Sequence, residues 1–343
     1  MVRLGNRRKC GARMNVKTII FDNRHNKTFD VSRAVSDMTI TTYMTDNPGK
    51  CEFTVRATSP LAFWEGATVS VIVDGYKMFK GFVFKKSRDE DVRNIKVTAY
   101  DQLRYLKNKD SKVFENVTSS QILAQLCDEF VLKYEITDPS TYICPPRSED
   151  AVSLYEMVQN ALDATLANTN QWFFIRDDFG VIKHLNVKSC MRPEMLGDAS
   201  FVTGFDYETS IDKDVYNQIK LYRDNETTGK REVFIVNDTV NGGEKIKRWG
   251  ILQLYEKVDE SYNLSQIEAR GLKMLKYYCD TRRSLTLHCL GIKEFFAGCT
   301  FKCKIADLGD LSLNSYLLVT QCTHKFKNNE HTMDLETEVV RGE

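Results

Sequence analysis

An Asp-Gly pair at positions 74 and 75 constrains this chain more than any other feature. Before it, Val69, Val71 and Val73 alternate with Ser70 and Ile72, and another β-rich run follows it. A two-residue type I′ turn needs positive φ at both central positions, and Asp-Gly adopts that geometry readily. A third run, 92–100, comes after the charged turn 87–91 and leads into the string AYDQLRYLKNKD. Residues 69–110 therefore read as a β-meander.

The rest of the first segment, about 15–107, has the same period. Cys51, Phe53, Val55 and Ala57 alternate with Glu52, Thr54 and Arg56, as in a half-buried strand. A β-branched run at 39–45 ends at Asn47-Pro48-Gly49. From 108 to 200 the period changes to helical. Thr118 and Gln121 match a capping box, and Ile122, Leu123, Leu126, Cys127 and Phe130 share one helical face. Ser148-Glu149-Asp150 reads as a second helix start, with acids at the positive end of the dipole. Its apolar stripe is Leu154, Tyr155, Val158, Ala161, Leu162 and Leu166. A hairpin follows, 171–176 and 181–187, turning at 177–180.

From 201 to 343 strands return. Runs 218–222 and 231–236 flank a turn at 225–229, and 316–326 turns at 327–330 to pair with 332–340. One helix, about 263–279, interrupts them, with Leu264, Ile267, Gly271, Met274, Leu275 and Tyr278 at helical spacing.

The 48 basic and 47 acidic residues among 343 leave a net charge of +1, which argues against a dedicated nucleic-acid binder. No apolar run approaches the roughly 18 residues of a membrane span. The first 14 residues are basic without an apolar stretch and read as a flexible basic arm, or one that orders on a neighbouring subunit. Ten scattered cysteines look like reduced, buried thiols of a protein made in the cytoplasm.

Candidate chemistry is sparse. None of His25, His184, His288, His324 and His331 sits in a catalytic motif. Asp177-Asp178 reads as turn chemistry, not as a pair of catalytic carboxylates. Cys299, Cys303, Cys322 and His324 approach a zinc-like set, but four residues along one strand span about 13 Å. Buried thiols fit better, and neither metal nor cofactor is expected. In AYDQLRYLKN, Asp101 and Arg104 would pair or cap locally, with Tyr100, Leu103 and Leu106 on one face. Trp64, Trp172 and Trp249 read as core or interface anchors.

Four long strings carry a resemblance: GYKMFKGFVFKKSRDEDVRNIKVTAYDQLRYLKNKD (75–110), FENVTSSQILAQLCDEF (114–130), SLYEMVQNALDATLANTNQWFFIRDDFGVI (153–182) and KIKRWGILQLYEKVDE (245–260). With the tail TQCTHKFKNNEHTMDLETEV (320–339), the chain resembles the baseplate hub proteins of contractile phage tails and phage-tail-like bacteriocins, a family found in defective Bacillus prophages.

That resemblance implies an α+β, mainly β fold. Two tail-tube-like β-barrel domains, 15–107 and 201–343, would carry an α+β domain, 108–200, between them in sequence. It also implies a non-enzymatic homotrimer, a pseudo-hexameric ring adapting the hexameric tail tube to the trimeric central spike. Expected partners are the tube protein, the spike, baseplate wedge proteins, a LysM-containing baseplate protein and the tape measure. No membrane and no specific nucleic-acid contact is expected. The chain would be made in the bacterial cytoplasm and built into the particle's baseplate, with no fused cell-wall-degrading domain after Glu343. The alternatives are a receptor- or glycan-binding tail protein and a tail-associated cell-wall hydrolase. Candidate contacts are Asp74 and Gly75, then Ser87, Arg88 and Asp89, then Arg104 and Tyr105, and the last hairpin tip, Lys327, Asn328, Asn329 and Glu330.

Overall fold

A computed structural model describes residues 14–56, 61–88, 93–198, 200–212, 215–225, 229–239, 243–258, 262–308 and 312–339. The first segment supplies seven strands: β1 (Val16–Asp22), β2 (Lys27–Asp30), β3 (Val35–Tyr43), β4 (Lys50–Arg56), β5 (Thr68–Val73), β6 (Tyr76–Arg88) and β7 (Asn94–Tyr100). The expected meander is present, with β5–β6 and β6–β7 antiparallel. Its turn has φ of 46° at Asp74 and 79° at Gly75, the signs a type I′ turn requires. The alternating pattern also translates directly: Cys51, Phe53 and Val55 are buried while Glu52 and Arg56 are exposed. Burying the Phe53 and Val55 side chains contributes roughly 1.5–3 kcal/mol each.

The middle segment folds around its own core. It comprises β8 (Lys109–Phe114), α1 (Ser119–Glu129), β9 (Tyr134–Ile136), β10 (Arg147–Ser153), α2 (Leu154–Thr169), β11 (Phe173–Asp177) and β12 (Ile182–Asn186). The Thr118–Gln121 capping box forms as expected. The expected helix start at 148–150 does not. Arg147–Ser153 is a strand paired with β8, and Glu149 is held by Arg147 and Asn160. The α2 cap is Ser153, whose hydroxyl accepts the Glu156 N–H at 3.2 Å. Two serines competed for the cap, and the one directly before the apolar stripe took it.

The remaining strands are β13 (Met191–Gly197), β14 (Val202–Ser210), β15 (Gln218–Asn225), β16 (Lys230–Asn237), β17 (Gln253–Lys257), β18 (Arg282–Leu290), β19 (Thr300–Ile305), β20 (Leu313–Lys327) and β21 (Glu330–Val339). Two helices lie among them, α3 (Glu244–Trp249) and α4 (Leu264–Tyr278). Strand β20 joins the two ends of the chain. Its first half pairs with β19, its second half pairs with β3, and β21 runs along its other side. A register shift between Val319 and Gln321 marks the change of partner, as a bulge does when it bends a strand. The result is one 13-stranded sheet whose path runs β14-β18-β21-β20-β3-β4-β7-β6-β5-β1-β2. Among the described residues that path stays open, ending at β14 and β2. Phe326 of β20 is buried in the core of the first segment.

Contacts divide the chain into two units, one of residues 14–206 with 286–339 and one spanning Tyr207–Leu285. The second unit is a three-stranded sheet, β16-β15-β17, with α4 packed on one face. Ile219 and Leu221 meet Ile267 and Leu275 there. Asn263 and Gln266 form a capping box at the start of α4.

Candidate assembly surface

The Asp74-Gly75 turn is exposed and anchored at its base: the Asn15 N–H donates to the Asp74 carboxylate at 2.9 Å. Lys293 Nζ donates to the Asp74 carbonyl at 3.2 Å. At the last hairpin, Lys327, Asn328, Asn329 and Glu330 are all exposed, and the two asparagines have φ of 52° and 65°. This is a second turn of the same class, built from residues that tolerate positive φ. Sequence reading passed over the loop 291–299, which reaches both tips. It bonds Lys293 to the first turn, and the Gly291 N–H to the His331 carbonyl at 2.8 Å. Ala297 N–H also donates to Thr42 Oγ1 of β3 at 3.0 Å. Its only sequence signal was a short apolar string between two glycines, Gly291 and Gly298.

Arg104 and Tyr105 lie on a different face. They follow β7 in a 3-10 turn, Gln102–Lys107, capped by Asp101. The Tyr105 ring meets Phe82 and Phe84 at 5.7 and 5.8 Å, and Phe84 meets Tyr100 at 5.5 Å. The Arg104 guanidinium sits 5.4 Å from the Phe84 centroid. Phe84 is 37% exposed, so this aromatic cluster is an open surface feature on the outward side of β6. Below it, buried Asp101 clamps the backbone: Oδ2 accepts the Gly49 N–H at 2.8 Å and Oδ1 the Leu103 N–H at 3.0 Å. Arg104 thus stacks on an aromatic, while Asp101 does the capping. Ser87 and Arg88 end β6 opposite Lys96 and Ile95, whereas Asp89 lies outside the described residues.

Among the described residues, the Ser119–His184 and His324–His331 pairs are buried. Ser119 Oγ lies 3.2 Å from His184 Nε2, and His184 Nδ1 lies 2.7 Å from the Asp138 carbonyl. That looks like a nucleophile beside an oriented base, but both side chains are fully buried and no substrate can reach them. Burial also lowers the His184 pKa. His324 Nδ1 lies 2.9 Å from His331 Nε2, and His324 Nε2 lies 2.9 Å from the Phe295 carbonyl. Cys299, Cys303 and Cys322 are buried free thiols, and burial pushes Cys299 and Cys303 up to about 12. Among the described residues no three His, Cys, Asp or Glu side chains converge as metal ligands. Trp64 is 43% exposed, with Arg24 and Lys86 about its ring at 5.1 and 5.0 Å.

The chain matches known proteins along most of its length. It is 28% identical over 277 residues to the Bacillus subtilis protein YqbQ, covering 79% of this chain and 81% of that one. It is 26% identical over 280 residues to the phage-like element PBSX protein XkdQ of the same organism, with the same coverage. Among solved structures, the 43 kDa tail protein of prophage MuSo2 from Shewanella oneidensis shares the fold at a TM-score of 0.68. It is 12% identical, covering 95% of this chain and 98% of that one. Residues 38–338 match the YQBQ-like family model, and the chain belongs to that family.

Proposed function

We propose that this protein is the central hub of a contractile baseplate, a homotrimeric ring whose repeated units face a hexameric tail tube on one side and a trimeric spike on the other. The observation that carries this reading is the single sheet shared by the two ends of the chain. Strand β20 pairs with β3, which puts the first segment and the last hairpin in one sheet. Among the described residues the path of that sheet ends at two open strands, β2 and β14. Open edges invite pairing, and a closed ring of copies would cover them without leaving a free surface. In this reading 15–107 and 201–343 are the tube-like units, and 108–200 stands between them in sequence. The exposed tips at Asp74-Gly75 and Lys327–Glu330 and the Arg104–Tyr105 cluster are the contact points. Tube, spike and wedge proteins are the partners, with a LysM-containing baseplate protein and the tape measure beside them.

Light scattering at several concentrations tests the ring. One chain is 39.5 kDa, and the expected particle is about three times that and resists dilution. A monomer that stays monomeric when co-expressed with tube and spike would sink the proposal. A second reading, a glycan- or receptor-binding tail protein, draws on exposed Trp64 alone. Saturable glycan binding abolished by Trp64→Ala would favour it.

A further inference from the structure

His288 lies on β18 with both ring nitrogens facing carboxylates. Nδ1 is 2.8 Å from Asp334 Oδ1 on β21, and Nε2 is 3.0 Å from Asp206 Oδ2 on β14. An ionised carboxylate only accepts hydrogen bonds, so this geometry needs both nitrogens to carry protons. The ring is therefore an imidazolium. Lys325 Nζ on β20 holds the other Asp334 oxygen at 2.5 Å. Asp206, His288, Asp334 and Lys325 thus form a charge ladder of alternating sign across four successive strands, β14-β18-β21-β20.

The ladder's outer end has a particular place in the chain. Strand β14 ends the sheet path, so its ladder of backbone bonds runs to β18 alone among the described residues. Asp206 is the last residue before the chain leaves the first unit, and His288 follows closely on its return at Thr286. Both residues belong to the first unit and flank the stretch that forms the second. Thr203 Oγ1 adds one bond to the His288 carbonyl at 3.0 Å.

We propose that His288 is a proton-operated clasp on the edge strand: as the imidazolium it ties β14 to β21 through two carboxylates, and on losing its proton it lets go of Asp206 and loosens β14. The charged groups facing the ring are Asp206 from β14, Asp334 from β21 and, behind Asp334, Lys325 from β20. Glu336, further along β21, is engaged by Gln321 at 2.6 Å. On its own strand the nearest charges are Arg282 and Arg283, at the far end. The hydrogen bonds to Asp334 and Asp206 raise the pKa above the usual histidine value. A group raised in this way holds its partners below the ordinary histidine pKa and loses them as pH rises through the folded value. The clasp is closed below the ordinary histidine pKa and opens as pH rises through the raised folded value. An exposed ion pair is screened by salt, so the clasp weakens with ionic strength.

Two exchange measurements on the full chain test this. Exchange at the imidazole C2 proton, read by mass spectrometry, gives the His288 midpoint. Amide exchange of a peptide spanning 202–206, corrected for the intrinsic rate, gives the protection of β14 on either side of it. The expected result is a midpoint above the ordinary value of about 6.5. Protection in β14 should fall about fivefold across it, in line with a screened pair, while a peptide from β1 does not change. His288→Gln should hold β14 at the low protection at both pH values. Asp206→Asn, which keeps an acceptor and loses the charge, should lower the midpoint. A midpoint at or below 6.5 overturns the proposal. So does unchanged β14 protection while His288 loses its proton, and that reading needs no variant to fold.

Discussion

The imidazoles of His324 and His331 face each other inside the last hairpin, Nδ1 to Nε2 at 2.9 Å. The other nitrogen of His324 donates to the Phe295 carbonyl, so Nδ1 carries no proton and accepts from His331. His324 is neutral in this arrangement. A proton added to His324 would set two N–H groups against each other while His331 keeps its proton on Nε2. Burial lowers the His324 pKa to about 4.

This pair makes stability pH-dependent with a fixed sign. A histidine whose folded pKa lies below its unfolded value of about 6.5 contributes fully above that value. The contribution is lost as pH falls toward the folded value, because the unfolded chain binds the extra proton more tightly. From 6.5 to about 4, the loss is on the order of 3 kcal/mol for a fully buried group. Urea midpoints between pH 7 and pH 4 should fall steadily, and His324→Gln should flatten that slope. An equally steep slope in the variant would assign the acid sensitivity elsewhere.

Gly49 and Asp101 give a second, independent expectation. A Cβ on Gly49 would come within 2.3 Å of Asp101 Oδ2, the atom that accepts the Gly49 N–H. Gly49→Ala therefore has to break the clamp, leaving a buried carboxylate and an amide unmatched, at about 1–3 kcal/mol. Asp101→Asn keeps one acceptor and should cost less than Gly49→Ala, because the backbone need not move. Thermal melts of the two variants measure the order, and a Gly49→Ala protein as stable as the parent would refute the close approach.

Among the described residues with positive φ, Val131 is the β-branched one. It has φ of 54° and is 89% exposed, just past the end of α1. Leu132 N–H bonds the Cys127 carbonyl at 2.8 Å and Val131 N–H bonds Asp128 at 3.3 Å, the pair of bonds that closes a helix on a left-handed residue. Glycine is the usual occupant, and a β-branched side chain is disfavoured there. Val131→Gly should stabilise the isolated chain by about 1 kcal/mol. A lower unfolding midpoint would mean that the valine makes contacts that outweigh its strain.

Local chemistry was legible in the sequence wherever it acts within a few residues. Asp74-Gly75 and Asn328-Asn329 both take positive φ, and Thr118 with Gln121 closes its box as read. Where two local signals competed, reading failed: Ser148-Glu149-Asp150 looks like a helix start until Ser153 caps the helix and β8 claims the acids. Long-range pairing left no trace. Thr41 and Thr323 lie 282 residues apart in sequence and adjoin across β3 and β20. Nothing in a period of two says which other strand a strand will meet. His288 and His324 read alike in sequence, yet two carboxylates raise the pKa of one and burial lowers that of the other.

The aromatic cluster beside Arg104 separates assembly from folding. Phe84 is 37% exposed and points away from the core, which its neighbour Val83 fills. Phe84→Ser removes the ring that Arg104 and Tyr105 pack against, with little buried surface lost within the chain. The expected cost to folding is below about 1 kcal/mol, as for most surface changes. An interface anchored on an aromatic with an arginine on its face would lose far more, since such residues concentrate binding energy, about 2 kcal/mol or more each. Sedimentation velocity of the variant should therefore show a smaller particle at a concentration where the parent is fully assembled, with the melting temperature nearly unchanged. If particle size and melting temperature both stay with the parent, the cluster faces solvent in the assembly, and the contacts lie at the Asp74-Gly75 and Lys327–Glu330 tips instead.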